Sequence, residues 1–248
     1  MFAAMRSERM EALHLYSDPA TGLEAVVAIH NTKLGPALGG CRYLAYNSLD
    51  DALADAMRLA RGMSYKAALA GLEQGGGKAV ILRQPHVADR AALFEAFGRC
   101  IESLRGGYIT AVDSGTSSAD MDCIAQHTAH VTSTTHAGDP SPHTALGVLA
   151  GMRSAVNARL GQSSLAGVRV VLQGLGNVGY ALAELLQAEG AELLVADLDQ
   201  GKVRLAAEEL GAQPLAPEAV YETPCDLFAP CGLGGAISQR SAALLRCA

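Results

Sequence analysis

Two lysines and one aspartate are the residues whose types and positions in this sequence point most directly to proton-transfer chemistry. Only four of the 19 cationic residues are lysines, and two of them, Lys66 and Lys78, are separated by 12 positions. Two ammonium groups that face one cleft disfavour each other's charge, and burial adds to this effect. One amine can then be neutral near pH 7 and act as a general base, while the other stays charged and binds a carboxylate.

The surroundings of Lys78 and Asp113 favour a ligand site at the ends of strands. Lys78 follows three glycines, residues 75–77, but Leu72 and Ala79 stand where a phosphate loop needs glycine and serine or threonine. Asp113 follows a predicted strand at residues 108–112, and in α/β sheets ligands gather at the carboxyl ends of strands. Each residue taken alone would also fit a surface lysine or a turn aspartate.

A glycine-rich turn later in the chain predicts a dinucleotide site. Gly174, Gly176 and Gly179 lie between a predicted strand at residues 168–173 and an apolar helix. These glycines allow a tight turn, close approach of a pyrophosphate and close packing of the helix on the strand. Asp197 ends the next predicted strand, where an acid accepts hydrogen bonds from a ribose 2′-hydroxyl and repels a 2′-phosphate. The pattern therefore selects NAD over NADP.

The elements that would position these residues alternate along the chain. Strands are predicted at 23–30, 78–83, 108–112, 130–132, 168–173 and 191–197, helices at 48–63, 90–104, 118–128, 141–161 and 180–188, and a loop at 35–40. We therefore expect an α/β fold with two domains. Residues 1–138 would form a substrate-binding and catalytic α/β domain, and residues 139–248 a Rossmann-type NAD-binding domain that is incomplete at its C-terminus.

The order and content of six segments resemble the glutamate, leucine, phenylalanine and valine dehydrogenase family. The segments are Leu34–Gly40, Gly62–Lys66, Gly71–Lys78, Tyr108–Asp113, Asp139–Thr144 and Gly174–Gly179. They run along nearly the whole chain in the family's order. The resemblance implies NAD-dependent oxidative deamination of an L-amino acid to a 2-oxo acid and ammonia.

The resemblance also implies roles for residues of the first domain. Lys78 would be the general base that activates water, and Asp113 would exchange protons with the substrate nitrogen. Lys66 would bind the substrate α-carboxylate. The remaining substrate-binding positions would be Leu38, Gly39, Gly40, Met63 and Ala111.

In the second domain the resemblance implies a set of cofactor-binding residues. Thr144 would lie near the nicotinamide amide, and Pro230, Cys231 and Gly232 near the nucleotide ribose. The phosphate turn would consist of Gly174, Leu175, Gly176, Asn177, Val178 and Gly179, with Asp197 beyond it.

Leu38 indicates the kind of substrate. Family members that act on glutamate carry a lysine at this position for the side-chain carboxylate. An apolar residue cannot compensate a buried charge, so we expect an aliphatic, branched-chain substrate, with L-leucine first.

Composition excludes several other classes of partner. The net charge is −6, tryptophan is absent and no basic run occurs, so a nucleic-acid surface is not expected. No apolar stretch reaches the roughly 18 residues of a membrane span, and the N-terminus lacks the pattern of a secretion signal. We expect a cytoplasmic homo-oligomer.

The six cysteines form no C-x-x-C pair, so neither disulfides nor zinc are expected, although Cys123, His127 and His130 fall at helical spacing.

Two alternatives remain open on the sequence alone. One is another Rossmann oxidoreductase with a catalytic lysine, which would leave Leu38–Gly40 and Asp113 unexplained. The other is a non-catalytic NAD-binding or assembly module, because only 75 residues follow Gln173, fewer than a six-stranded doubly wound sheet needs. We therefore expect weak or no turnover from this chain alone.

Overall fold

The computed structural model describes all residues from 1 to 248 and divides the chain into two compact units. The first unit is Met1–Asp139 and the second is Pro140–Ala248. The boundary lies one residue beyond the position expected from composition.

The first unit is a mixed five-stranded sheet with helices. Its elements are α1 (Phe2–Glu8), β1 (Ala12–Asp18), β2 (Leu23–Asn31), β3 (Ala37–Leu44), α2 (Leu49–Leu69), β4 (Gly75–Leu82), α3 (Arg90–Ser103), β5 (Tyr108–Val112) and α4 (Ser118–Ala125). The strand order is β1-β2-β4-β3-β5. Strand β3 is parallel to both β4 and β5, whereas β2 is antiparallel to β1 and β4.

The predicted loop at residues 35–40 is wrong, because most of it belongs to β3. The chain pairs as a strand from Ala37, with Leu38 opposite Gly76 on one side and Ile109 on the other. Two consecutive glycines interrupt the alternation of apolar and polar side chains by which a strand is recognised. Strand β1 and helix α1 were not predicted, and the predicted strand at 130–132 is reduced to a single bridge between Val131 and Thr110.

The sheet of the first unit is covered on both faces. Helices α3 and α4 bury large side chains, including Phe94, Phe97 and Met121, against one face. Helix α2 covers the other face with small residues, which pack on Val26, Ala28 and Val80. The small residues of α2 are Ala52, Ala56 and Ala60. Lys78 lies two residues before Val80 on β4, so its side chain points to the same face of the sheet, the one that α2 covers.

Helix α2 begins where the sequence predicts it. Ser48 caps its N-terminus, and the Ser48 hydroxyl accepts a hydrogen bond from the Asp51 backbone N–H at 3.1 Å. Such a cap stabilises a helix by about 1 kcal/mol and sets its first residue. The cap thereby sets the point in the sequence from which the residues of α2 alternate between the sheet and solvent.

The second unit is a parallel α/β sheet. Its elements are α5 (Ser141–Leu160), β6 (Arg169–Gln173), α6 (Asn177–Ala188), β7 (Glu192–Ala196), α7 (Gln200–Leu210), β8 (Gln213–Pro214), a 3₁₀ turn (Pro217–Ala219), β9 (Leu227–Pro230) and α8 (Gln239–Leu244). The strand order is β8-β7-β6-β9, and every pair is parallel. After β6 the chain adds β7 and β8 on one side of β6 and then β9 on the other side. The direction in which strands are added therefore reverses at β6.

The core of the second unit lies between its sheet and helices α5 and α6. Val170 and Leu172 from β6 are fully buried, together with Leu182 and Leu186 from α6. None of the helices in either unit has the length and apolar character needed to cross a lipid bilayer.

Phe97 provides a test of the packing on the α3 side of the sheet. The ring is fully buried, so we expect Phe97→Ala to lower the free energy of unfolding by about 3–5 kcal/mol through loss of burial and the cavity left behind. Leu69→Ala is the matched control, because Leu69 is 91% exposed and its loss should change stability by less than about 0.5 kcal/mol. Urea titrations followed by circular dichroism measure both values, and equal effects would contradict the assigned packing.

Candidate active site

The Lys78 amine is the most buried cationic group of the first unit, and it contacts a carboxylate. Lys78 is 4% exposed, and its Nζ atom contacts Oδ2 of Asp113. Strand β4 brings Lys78 from inside the sheet, while Asp113 follows the last residue of β5. Strand β3 lies between β4 and β5, so two residues of very different chain position meet across one strand.

The Asp113 carboxylate is held in place by its own loop. Its Oδ1 atom accepts a hydrogen bond from the Ser114 backbone N–H at 2.5 Å. The Asp113 backbone N–H donates to Oγ1 of Thr116 at 2.8 Å, and that hydroxyl lies 3.0 Å from the Cys41 carbonyl oxygen. The loop after β5 is thereby attached to β3. The hydrogen bond of Oδ1 is one that a turn aspartate makes, but the other carboxylate oxygen, Oδ2, contacts Lys78.

A second cation shares the Asp113 carboxylate. Nε of Arg42 lies 3.4 Å from Oδ1 of Asp113, and Nη1 of the same guanidinium lies 2.7 Å from Oδ2 of Asp55. Asp55, on α2, also accepts hydrogen bonds from the Tyr46 hydroxyl at 2.8 Å and from Arg58 at 2.9 Å. A half-buried charge network therefore links α2 to the pair formed by Lys78 and Asp113.

Burial dominates the protonation of the Lys78 amine. It lowers the pKa of Lys78 to about 7, and the positive charges of Arg42 and Lys66 act in the same direction. The Asp113 carboxylate in contact with the amine acts in the opposite direction, because a negative neighbour favours the charged form. A lysine in this state can hold a proton and release it near neutral pH.

Gly40 of β3 leaves the space that the Asp113 carboxylate occupies. A Cβ atom at Gly40 would lie 2.7 Å from Cβ and 2.8 Å from Oδ2 of Asp113. Gly40 pairs in register with Ala111, and Leu38 pairs with Ile109 on the same two strands. The structure thus places Leu38, Gly40 and Ala111 beside one another at the site.

Gly39 is held by a buried tyrosine. The Tyr108 hydroxyl donates a hydrogen bond to the Gly39 carbonyl oxygen at 2.6 Å. Burial raises the pKa of this hydroxyl, so it remains a donor. The Gly39 carbonyl is therefore oriented by the core beneath it.

Helix α2 carries the remaining residues predicted for the first-unit site. Lys66 is exposed in the last turn of α2, and Met63 is half-buried one turn earlier. The charge of Lys66 acts on Lys78, which places the two amines within electrostatic reach of each other. Lys66 is exposed, whereas Lys78 is buried.

The glycine turn of the second unit joins β6 to α6. Gly174 has φ of +97°, a backbone conformation that favours glycine. Gly176 caps α6 without any side-chain hydrogen bond, and a Cβ atom there would meet nothing within 4 Å. A Cβ at Gly179 would overlap the Gly174 carbonyl, so α6 packs directly on the turn. The start of α6 is thus open and offers backbone N–H groups to an anion.

The other residues predicted to bind the cofactor lie at the carboxyl ends of the neighbouring strands. Asp197, after β7, accepts hydrogen bonds from the N–H groups of Leu175 at 2.5 Å and Asp199 at 2.8 Å. Cys231, after β9, donates its N–H to the Gln173 carbonyl oxygen at 2.7 Å. A Cβ atom at Gly174 would lie 2.6 Å from the Gly232 nitrogen. The glycine turn, Asp197 and the loop 230–232 therefore lie at one edge of the sheet.

Three predicted cofactor residues have other surroundings. The Leu175 side chain is buried in the core, so only its backbone faces the turn. Thr144 is exposed in the first turn of α5, where its hydroxyl donates to the Pro140 carbonyl oxygen at 3.2 Å, and no hydrogen bond joins it to the glycine turn. Pro230 is exposed at the end of β9.

No three histidine, cysteine, aspartate or glutamate side chains are arranged to hold a metal ion. His127 lies 3.7 Å from the Glu95 carboxylate, and Cys123 packs against the core. The metal-binding alternative for Cys123, His127 and His130 therefore has no support from the geometry.

Arg42 and Asp55 are site residues that the sequence does not predict. Arginine and aspartate are common surface residues, and no motif surrounds either of them. One signal was available: once Leu38 and Gly40 are assigned to a strand, the alternation of side chains places Arg42 on the same face. Asp55 carries no comparable signal, because only the packing of α2 brings it to Arg42.

Comparison with known proteins identifies relatives of both units. Residues 10–130 match the family model described as Glu/Leu/Phe/Val dehydrogenase, dimerisation domain. The chain is 48% identical over 245 residues to a leucine dehydrogenase from Geobacillus stearothermophilus, covering 97% of this chain and 67% of that protein.

Solved structures extend the likeness to the fold. L-tryptophan dehydrogenase from Nostoc punctiforme is 37% identical with a TM-score of 0.70, covering 99% of this chain and 71% of that one. A hetero-hexameric glutamate dehydrogenase from Thermus thermophilus is 26% identical with a TM-score of 0.76, covering 96% and 65%. The chain spans about two thirds of the length of the relatives it matches.

Gly40 offers a test of the site geometry. We expect Gly40→Ala to lower the free energy of unfolding by about 1–3 kcal/mol, because the new methyl group overlaps Asp113 and must displace it. Gly62→Ala is the control: this exposed α2 residue has open space around its Cβ position, and alanine there should stabilise by about 0.5–1 kcal/mol. Urea denaturation compares the two, and a stabilising effect at both positions would be inconsistent with the close contact.

Proposed function

This chain belongs to the Glu/Leu/Phe/Val dehydrogenase family, and we propose that it catalyses the NAD-dependent oxidative deamination of an aliphatic L-amino acid. L-Leucine is the first candidate substrate, and the products are the 2-oxo acid and ammonia. The relative from Geobacillus stearothermophilus is a leucine dehydrogenase. The observation that carries the proposal is the buried Lys78 amine in contact with the Asp113 carboxylate.

Lys78 is the proposed general base. Loss of hydride from the substrate Cα leaves an iminium carbon, which water attacks. The neutral Lys78 amine takes a proton from that water as the carbon–oxygen bond forms. With a pKa of about 7, the amine is neutral in a large part of the molecules at neutral pH, and its conjugate acid can return the proton later.

Asp113 is the proposed proton carrier for the substrate nitrogen. An amino acid arrives with a protonated ammonium group, and its nitrogen must lose a proton before hydride can leave Cα. Oδ2 of Asp113, which faces Lys78, can accept that proton and deliver it to the departing ammonia. The contact between the two side chains lets a proton pass between base and carboxylate without crossing bulk water.

The substrate's own groups have partners of suitable chemistry in the first unit. The exposed Lys66 ammonium would bind the α-carboxylate, and the backbone of Gly39 and Gly40 would line the same region. Leu38 and Met63 are half-buried apolar residues that fit an aliphatic side chain. No cationic side chain is paired in register with Leu38, which argues against glutamate as substrate.

The second unit fits a dinucleotide. Gly176 has open space at its Cβ position and the N-terminus of α6 has no side-chain cap, so a pyrophosphate could approach the backbone N–H groups. Asp197 supplies a carboxylate for a ribose hydroxyl, which favours NAD. Bound NAD would supply a hydride acceptor for the substrate Cα.

Self-association is part of the proposal. The matched family model is described as a dimerisation domain, and one structural relative is a hetero-hexamer. We expect this chain to form a homo-oligomer through its first unit.

The activity is tested by following NADH absorbance with L-leucine and with L-glutamate. We expect NADH formation with L-leucine well above that with L-glutamate, and a loss of at least about 100-fold in Lys78→Met, which keeps the volume but removes the base. The rate with L-leucine should fall about tenfold per pH unit below pH 7, as the Lys78 amine, whose pKa is about 7, becomes protonated. Activity on glutamate alone would overturn the substrate assignment, and NAD binding without turnover of either amino acid would favour a non-catalytic module.

Gly176 tests the cofactor site independently of turnover. In Gly176→Ala the methyl group enters open space, so stability should hold, while NAD binding should weaken by at least about tenfold because the pyrophosphate can no longer reach the backbone. Gly147→Ala, inside helix α5 with open space around its Cβ, is the control: it should leave the affinity for NAD unchanged and raise stability by about 0.5–1 kcal/mol, as alanine does in a helix. Calorimetric titration with NAD gives the affinities. Equal affinity in the two variants would count against the glycine turn as the phosphate site.

A further inference from the structure

Arg42 is the one charged residue that contacts both the Asp113 carboxylate and the carboxylate of Asp55 on helix α2. Its guanidinium extends between Asp113, at 3.4 Å, and Asp55, at 2.7 Å. The shorter distance is to Asp55, so Asp55 holds the guanidinium back from the carboxylate that Lys78 contacts. Asp113 is therefore shared unequally between a close Lys78 amine and a more distant Arg42.

We propose that Arg42, held by Asp55, is a positioning residue that sets how firmly Lys78 binds its proton. This inference rests on the proposed function, because it concerns the base assigned there. Arg42 acts through two routes of the same sign: its positive charge disfavours a second cation nearby, and its contact with Asp113 competes with the amine for the carboxylate. Asp55 acts oppositely, because it neutralises and restrains Arg42.

The charged and titratable groups whose charges act on Lys78 come from three elements. They are Cys41 and Arg42 on β3, Asp55 and Lys66 on α2, and Asp113 after β5. Burial raises the pKa of the Cys41 thiol, so Cys41 is uncharged in the working range. Of the remaining four groups, Lys66 and Asp113 are assigned to substrate and proton transfer, which leaves Arg42 and Asp55 as the adjustable pair.

The geometry predicts opposite effects for the two partners of one ion pair. Removing the Arg42 charge should raise the pKa of Lys78, because repulsion is lost and Asp113 turns fully to the amine. Removing the Asp55 charge should lower the pKa of Lys78, because an attractive charge is lost and Arg42 is free to approach Asp113. A merely structural role would give both variants the same phenotype.

The small number of lysines makes a direct measurement practical. Carbon-13 labelling of lysine yields signals from only four side chains, at positions 33, 66, 78 and 202. The Lys78 signal is the one that disappears in Lys78→Arg. Its chemical shift is followed against pH in the full chain, without substrate or cofactor, so the result does not depend on dehydrogenase activity.

We expect Arg42→Gln to raise the titration midpoint of Lys78 by about one unit and Asp55→Asn to lower it by about one unit. Arg58→Gln is the matched control, because Arg58 also contacts Asp55 but is 54% exposed and does not contact Asp113, and it should leave the midpoint unchanged. Shifts in the same direction, or no shift in either folded variant, would overturn the proposal. If Arg42→Gln does not fold, Arg42→Lys keeps the charge and should leave the midpoint near that of the unchanged chain, while Asp55→Asn must still lower it.

Rates with L-leucine separate this inference from the proposed function. If turnover occurs, the pH below which the rate falls should move with the Lys78 midpoint in each variant. Opposite shifts of the midpoint in a chain that turns over no amino acid would support the role of Arg42 and count against the dehydrogenase assignment. Turnover together with an unmoved midpoint would do the reverse.

Discussion

One lysine amine buried inside a β-sheet is the constraint on which the first unit depends. Lys78 is 4% exposed, and an ammonium group at such a position is stable only beside a carboxylate, since removing one partner of a buried ion pair costs about 3–5 kcal/mol. Asp113, after β5, supplies that carboxylate across β3. The same burial weakens the hold of the amine on its proton. The need for a carboxylate partner and the lowered proton affinity of the proposed base thus have one physical origin.

The order of strands and the size of the packed residues explain how this pair is formed. Strand β3 separates β4 from β5, and its Gly40 has no side chain that would overlap the Asp113 carboxylate where it contacts Lys78. Helix α2 approaches the same face closely because the residues it buries there are largely alanines. Close approach of α2 in turn brings Asp55 within 2.7 Å of Arg42. Small residues in the sheet and helix therefore leave the space in which the charged side chains meet.

The alternation of helices and strands and the identity of Lys78 and Asp113 could be inferred from the sequence, because periodicity and rare residue types are local signals. Strand β3 could not, because Gly39 and Gly40 remove the alternation that identifies a strand. Arg42 was missed as a direct result, since its face follows only from the strand assignment. Asp55 depends on how α2 packs on the sheet, which is a tertiary property. Residues of distinctive type could thus be proposed from the sequence, whereas Arg42 and Asp55, which act on Lys78 through charge, could not.

In the proposed function the two units use different parts of the chain. In the first unit the groups proposed to react are side chains whose charges are set by burial and by one another, so a single substitution should change the proton affinity of Lys78. In the second unit they are mainly backbone N–H groups at the start of α6, exposed because Gly176 leaves the space above them open. Backbone groups keep their charge distribution at every pH, whereas the Lys78 amine does not. The pH dependence of the whole reaction should therefore originate in the first unit, and the affinity for the cofactor in the shape of the glycine turn.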